Sequence, residues 1–148
     1  QVISGKVPAV AQAGEALKKA GAKRVIPLAV SGAFHCPLMD DAARQFQDCL
    51  TQLSFRAPEV PLVSNASGDY ARSPQQILTN LSRQMNHAVL WEASMRRLRA
   101  DGFDAFIEVG PGKVLQGLLR RIDRHVSVMG IDGSPGCLQQ VQRLIEQR

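Results

Sequence analysis

Aromatic residues are scarce in this chain: five Phe, one Trp and one Tyr among 148 residues. Without aromatic side chains interleaved among basic ones, there is no stacking platform of the kind that single-strand nucleic-acid binders use. Cysteine is scarce as well. Cys36, Cys49 and Cys137 share no metal-ligand spacing, and with no secretory signal in view they read as free thiols of a reducing cytosol. No apolar run approaches the roughly 18 residues a membrane span needs. The net charge of +5 is not concentrated in any long basic block, so acidic partners are favoured only weakly. An initiating Met is missing too. The chain opens on Gln1-Val2-Ile3, and a start inside a β-prone stretch reads as a piece of something longer.

What is present is ordinary globular material, 45% hydrophobic and 21% charged, enough for one domain with a real core. Gln1 to Ser4 is β-prone. Val7 to Ala20 carries Val10, Ala13, Leu17 and Ala20 at helical spacing, with Pro8 suited to a first turn and Gly21 to the position past the end. Arg24 to Val30 reads as a strand, with Pro27 marking an edge or an end. The first thirty residues are thus expected to form a β-α-β unit. Leu38 to Leu53 reads as a helix with the stripe Ala42, Phe46, Cys49, Leu50 and Leu53, and with Asp40 and Asp41 where the dipole favours acids. Pro61 to Asn65 reads as a short buried strand, and Ala66 to Ser73 as turn. Helices are expected over Pro74–Met85, Val89–Ala100, Lys113–Asp123 and Cys137–Gln147. Strands are expected over Ala105–Val109, buried on both faces, and Val126–Met129. Alternating strands and helices predict an α/β class with a mainly parallel sheet. Neither an internal repeat nor a low-complexity segment interrupts the pattern.

The stretch Ser31-Gly32-Ala33-Phe34-His35-Cys36-Pro37-Leu38-Met39 raises the main chemical question. Pro37 suits a first helical position, which puts His35 just ahead of a helix N-terminus, where the dipole favours the uncharged ring. An uncharged imidazole can accept a proton. A core histidine with both nitrogens bonded is the alternative. A zinc site is disfavoured, since His87 and His125 are distant and lack ligand-spaced neighbours. A Cys36–His35 catalytic pair is poorer still, because adjacent side chains diverge. A base needs a nucleophile, and no serine here has glycine at both flanking second positions. The G-x-S-x-G turn that exposes a serine in hydrolase-like folds is therefore absent. If His35 is a base, its nucleophile lies outside these residues.

SGAFHCPLM, followed by Glu108-Val109-Gly110-Pro111-Gly112-Lys113-Val114-Leu115, resembles the malonyl-CoA:acyl-carrier-protein transacylase family and the related acyltransferase domains of polyketide synthases. The match runs over nearly the whole chain and corresponds to the C-terminal half of that enzyme. The resemblance implies a large hydrolase-like α/β subdomain, residues 29–148 here, and a small ferredoxin-like subdomain to which residues 1–28 contribute one half. It implies malonyl transfer from coenzyme A to the phosphopantetheine thiol of acyl carrier protein, in fatty acid synthesis, through a serine acyl-enzyme. His35 matches the catalytic histidine. Gln84, within Leu81-Ser82-Arg83-Gln84-Met85-Asn86, matches the position whose backbone carbonyl orients it. Phe34 matches a position where bulk goes with malonyl over branched acyl groups, and Val114 a pocket-wall position. Cys36 stands where the family often has serine, leaving a thiol beside the site. The nucleophilic serine, the oxyanion-hole donors and the arginine that binds the malonyl carboxylate would all precede Gln1. The resemblance implies no metal and no resident cofactor, with malonyl-CoA as substrate, and a cytoplasmic monomer that engages neither nucleic acid nor membrane.

Other readings compete with these. Gly110-Pro111-Gly112-Lys113 could cradle phosphate, but it lacks the spacing and the Ser/Thr of a P-loop. The arginines at 96, 97 and 99 and at 120, 121 and 124 are either solvated surface or a dock for an acidic carrier or for coenzyme A phosphates. A polyketide-synthase acyltransferase is the rival within the enzyme class. Outside it, the rival is a non-catalytic basic binding module.

Overall fold

The computed structural model describes residues 1–146. The chain divides at Leu90/Trp91 into two compact units, each with its own helices and one small sheet.

The first unit opens with α1, Val7–Lys19, which has Pro8 in its first turn. Its end is a full Schellman motif. Gly21 is left-handed at φ 93°, and the N–H groups of Gly21 and Ala22 close onto the carbonyls of Lys18 and Leu17 at 3.0 and 2.9 Å. Orphan carbonyls are satisfied this way wherever a glycine follows the helix. A 3₁₀ turn, Pro37–Met39, runs directly into α2, Asp40–Thr51, which places Asp40 and Asp41 in the first turn. α2 packs on α3, Pro74–Arg83, and its buried residues are Ala43 and Leu50. Within the expected stripe, Cys49 and Leu53 face solvent instead. Ser73 caps α3, its Oγ accepting from Gln76 N at 3.2 Å, as a serine at that position should.

Two expected strands do not form. Residues 1–6 and 22–30 join no ladder, so the expected β-α-β unit is a helix flanked by unpaired chain. Ile26, Leu28 and Val30 are 68%, 57% and 63% exposed. Pro27 has no N–H to give, and Val30 spends its N–H on Leu28 O at 3.0 Å. Apolar composition makes a segment β-prone, but a strand exists only where a neighbour takes its hydrogen bonds. The strand expected at Pro61–Asn65 shrinks to β1, Leu62–Val63, paired antiparallel with β2, Tyr70–Ala71. It is not buried, since Leu62 lies at the surface.

The second unit runs α4 (Trp91–Ala100), β3 (Ala105–Val109), α5 (Val114–Ile122), β4 (Ser127–Ile131) and α6 (Cys137–Glu146). Gln147, the expected last residue of α6, lies outside the described residues. β3 and β4 are parallel, with Ala105 opposite Ser127 and Val109 opposite Ile131. The core is Met95, Leu119 and Val126, with Trp91, Leu98, Phe106, Ile122 and Val128 packed around them. β3 is not buried on both faces as expected: Val109 is 78% exposed. Alternating helix and parallel strand nonetheless place this unit in the α/β class. Among the described residues no helix is long and apolar enough to cross a membrane.

The Gly110-Pro111-Gly112 turn joins β3 to α5 with φ values of 132° and 92° at its glycines, a conformation closed to most side chains. Glu108 completes the junction by accepting from Leu115 N at 3.0 Å and Gln116 N at 3.3 Å. It thereby serves the orphan N–H groups at the start of α5. These bonds, that from Leu115 first, hold its carboxyl below the ordinary 4.5 against a smaller opposing effect of desolvation. A carboxylate depressed in the folded state stabilises fully above 4.5, and that contribution is lost as pH falls through the folded value. Asp123, held down chiefly by the His125 N–H, and Asp132, held down by the Ser134 hydroxyl and N–H, act in the same direction. Thermal melts should therefore show Glu108→Gln less stable than wild type at pH 7, with the gap in Tm closing as pH falls below 4.5 and through the depressed folded value. A gap independent of pH would contradict this account of Glu108.

Candidate active site

Pro37 fixes the start of the 3₁₀ turn, and Cys36 before it is extended at φ −143° and ψ 168°. Going from the incoming chain to that geometry takes a sharp reversal, and His35 supplies it. At φ 61°, His35 is the non-glycine residue with positive φ among the described residues. Such backbone costs on the order of 1–3 kcal/mol and persists only where surrounding contacts hold it.

The contacts come from the end of α3. Gln84 is the C-cap of that helix, so the carbonyls around it have no helical partner. Each is taken up. Arg83 O accepts from His87 N at 3.1 Å, and Met85 O accepts from His35 N at 2.9 Å. Gln84 O lies 2.9 Å from His35 Nδ1. A carbonyl can only accept, so Nδ1 carries a proton, and in the uncharged form of the ring the lone pair sits on Nε2. His35 is exposed, and among the described residues the ring's hydrogen bond is made by Nδ1, not Nε2. This is the arrangement a general base needs: one nitrogen tethered and the other free. Cys36 is half-buried, its thiol donating to Ala33 O at 3.1 Å.

Phe34 is 44% exposed, and its ring folds back over Gly32. A Cβ added at Gly32 would stand 3.1 Å from Phe34 Cζ, so glycine there leaves room for the folded-back ring. Val114 begins α5 in the second unit and is largely exposed. His35 and Gln84 are thus brought together from 49 residues apart, with Phe34 adjoining, while Val114 belongs to the other unit. Open clefts of about 310 and 210 Å³ lie beside the β1–β2 hairpin, and neither includes His35, Phe34 or Gln84.

Sequence reasoning missed the Met85 carbonyl, the Glu108 cap and the hydrogen bond between Asn86 Nδ2 and Asp40 Oδ1, 2.8 Å long. Only Glu108 left a local trace, as an acid just ahead of a glycine turn and a helix. Among the described residues no three His, Cys, Asp or Glu side chains gather as a metal site. The arginines of α4 are engaged within their own unit: Arg96 with Glu92 at 2.7 Å, Arg97 with Asp101 at 3.0 Å and Arg99 with Asp123 at 2.9 Å.

No protein-family model matches the chain. Individual proteins do. It is 38% identical over 146 residues to the malonyl CoA-acyl carrier protein transacylase of Bacillus subtilis, covering 99% of this chain and 46% of that protein. The crystal structure of an acyl carrier protein S-malonyltransferase from Vibrio cholerae superposes with a TM-score of 0.85 at 38% identity, covering 90% of this chain and 43% of the other. A malonyl-transacylase solved in complex with its type II PKS acyl-carrier protein superposes with a TM-score of 0.89 at 34% identity, over 94% and 45% of the two chains. The chain spans less than half the length of the relatives it matches. Over the length it does span, sequence and fold agree, and the chain is a homologue of part of the malonyl CoA-acyl carrier protein transacylases.

Proposed function

We propose that the full-length protein transfers a malonyl group from coenzyme A to the phosphopantetheine thiol of acyl carrier protein, in fatty acid synthesis, with His35 as general base. The observation that carries this reading is the tether from His35 Nδ1 to Gln84 O, which leaves Nε2 free on an exposed ring. In the first half-reaction Nε2 takes the proton of a serine hydroxyl as its oxygen attacks the thioester carbon. The C–S bond breaks, and the imidazolium returns that proton to the departing coenzyme A sulfur. In the second half, Nε2 takes the proton of the carrier thiol as the sulfur attacks the serine ester, and the serine oxygen leaves with the proton. The serine is the one the family resemblance implies.

A neutral carbonyl holds one tautomer in place but stabilises the imidazolium less than a carboxylate does. That suits an acyl-enzyme that waits for a thiol. The same reading assigns residues 1–28 to the small subdomain and 29–148 to the large one, with no metal or resident cofactor. It makes the protein a cytoplasmic monomer with malonyl-CoA and the carrier protein as partners, and Val114 part of the pocket wall. Incubation of the full-length protein with malonyl-CoA and holo carrier protein should yield malonyl-carrier, read by intact mass. Failure to form it overturns the assignment.

Phe34 is the proposed selector of acyl group. A phenyl ring beside the base crowds a methyl group on the malonyl α-carbon. One such methyl is worth roughly 10–200-fold in kcat/KM. Wild type is expected to prefer malonyl-CoA over methylmalonyl-CoA within that range, and Phe34→Ser to narrow the ratio. Equal use of both by wild type rules the role out.

A further inference from the structure

Asn86 follows directly after the two carbonyls that hold His35, and its side chain is engaged at both ends. Nδ2 donates to Asp40 Oδ1 at 2.8 Å, across 46 residues of chain. Oδ1 lies 2.7 Å from His87 Nδ1. A carboxylate only accepts, so Asp40 decides which end of the amide faces it, and the oxygen is left to accept from His87. Asp40 is the first residue of α2, one 3₁₀ turn beyond His35. The strips 35–40 and 84–86 are therefore joined at three places. Two bonds act on His35 itself, and the third, from Asn86 to Asp40, acts on the segment that carries their acceptors.

That third bond answers a weakness in the arrangement. Gln84 and Met85 lie past the last turn of α3, where carbonyls lack helical partners and the backbone frays. A displacement of about 1 Å at a catalytic group can cost on the order of 10²-fold in rate.

We infer that Asn86 is a positioning residue: through its bond to Asp40 it locks the Gln84 and Met85 carbonyls to the start of α2, and so keeps His35 in the Nδ1–H tautomer with Nε2 free. The inference rests on the assignment of His35 as the base. Asn86 touches no reacting atom and acts through Gln84 O.

Side-chain ¹⁵N spectra of histidine in the full-length protein read the tautomer directly, whether or not malonyl is transferred. The His35 signals are identified by their loss in His35→Asn. In wild type the Nδ1–H form should dominate. In Asn86→Ala and in Asp40→Ala, a mixture of tautomers is expected, with Nδ1–H exchange roughly tenfold faster. kcat should fall roughly 10- to 100-fold with KM for malonyl-CoA unchanged. Since both variants remove one bond, the double variant should lose no more than either single one. The swap Asp40→Asn with Asn86→Asp rebuilds the bond with donor and acceptor exchanged. It should restore the tautomer, and it serves where an alanine variant does not fold. A His35 spectrum unchanged in either alanine variant, or a folded swap that keeps mixed tautomers, overturns the inference. If wild type moves no malonyl while the spectra shift as described, the functional assignment falls and the positioning role stands.

Discussion

Replacing His35 by asparagine in the full-length protein is expected to lower kcat for malonyl transfer on the order of 10⁶-fold, the loss seen when either member of a nucleophile–base pair is removed. Asparagine is the informative choice because of the backbone. His35 sits at φ 61°, and asparagine tolerates that region better than most residues. The variant keeps the loop and loses the ring nitrogen that accepts the proton. Alanine removes the same nitrogen but adds about 1 kcal/mol of left-handed backbone cost, so its Tm should fall further while its activity is no lower. Steady-state transfer, intact mass of the acyl-enzyme and thermal melts separate the two effects. Combining His35→Asn with loss of the serine should cost nothing further, since the pair acts as a unit. A His35→Asn variant within about tenfold of wild-type kcat would remove His35 from the chemistry.

The 148 residues by themselves are expected to transfer no malonyl to carrier protein. They hold the candidate base, its carbonyl tether and Phe34, but no serine in a G-x-S-x-G turn. An imidazole without a poised nucleophile can at best activate water or a free thiol. The deficit should again be on the order of 10⁶-fold relative to a complete serine–base pair. A sensitive radiolabel transfer assay on the purified polypeptide checks it, with circular dichroism to confirm that helix is present. Measurable transfer above the uncatalysed rate would show that another group here serves as nucleophile.

The parts of the fold that were legible in advance are those whose causes lie close together in the chain. α1 ends where Gly21 follows it, because a left-handed residue there closes the last carbonyls. α3 begins after Ser73 because a hydroxyl one residue ahead of Pro74 meets the orphan N–H groups. β3 has the expected limits, set by Gly102 and Gly110 on either side of an apolar run. The segments at 1–4 and 24–30 were β-prone by composition yet form no ladder, since pairing depends on a partner that composition does not specify. Buried-face readings failed for the same reason at Cys49, Leu53 and Val109, where exposure is set by what lies opposite.

At the site, residue types and order were enough to single out His35, and the family pattern pointed to a carbonyl at Gln84. Chain order alone determined the helices, the turn chemistry, the lack of a G-x-S-x-G turn in these residues and the likeness to malonyl CoA-acyl carrier protein transacylases. The tertiary structure decided everything that depends on distance through space: the left-handed backbone at His35, the bond from its N–H to Met85 O, and the Asp40–Asn86 link across 46 residues. The physical reason is one of range. Caps and periodicity act within a turn or two of helix. A hydrogen bond between residues far apart in sequence exists only once folding has made them neighbours.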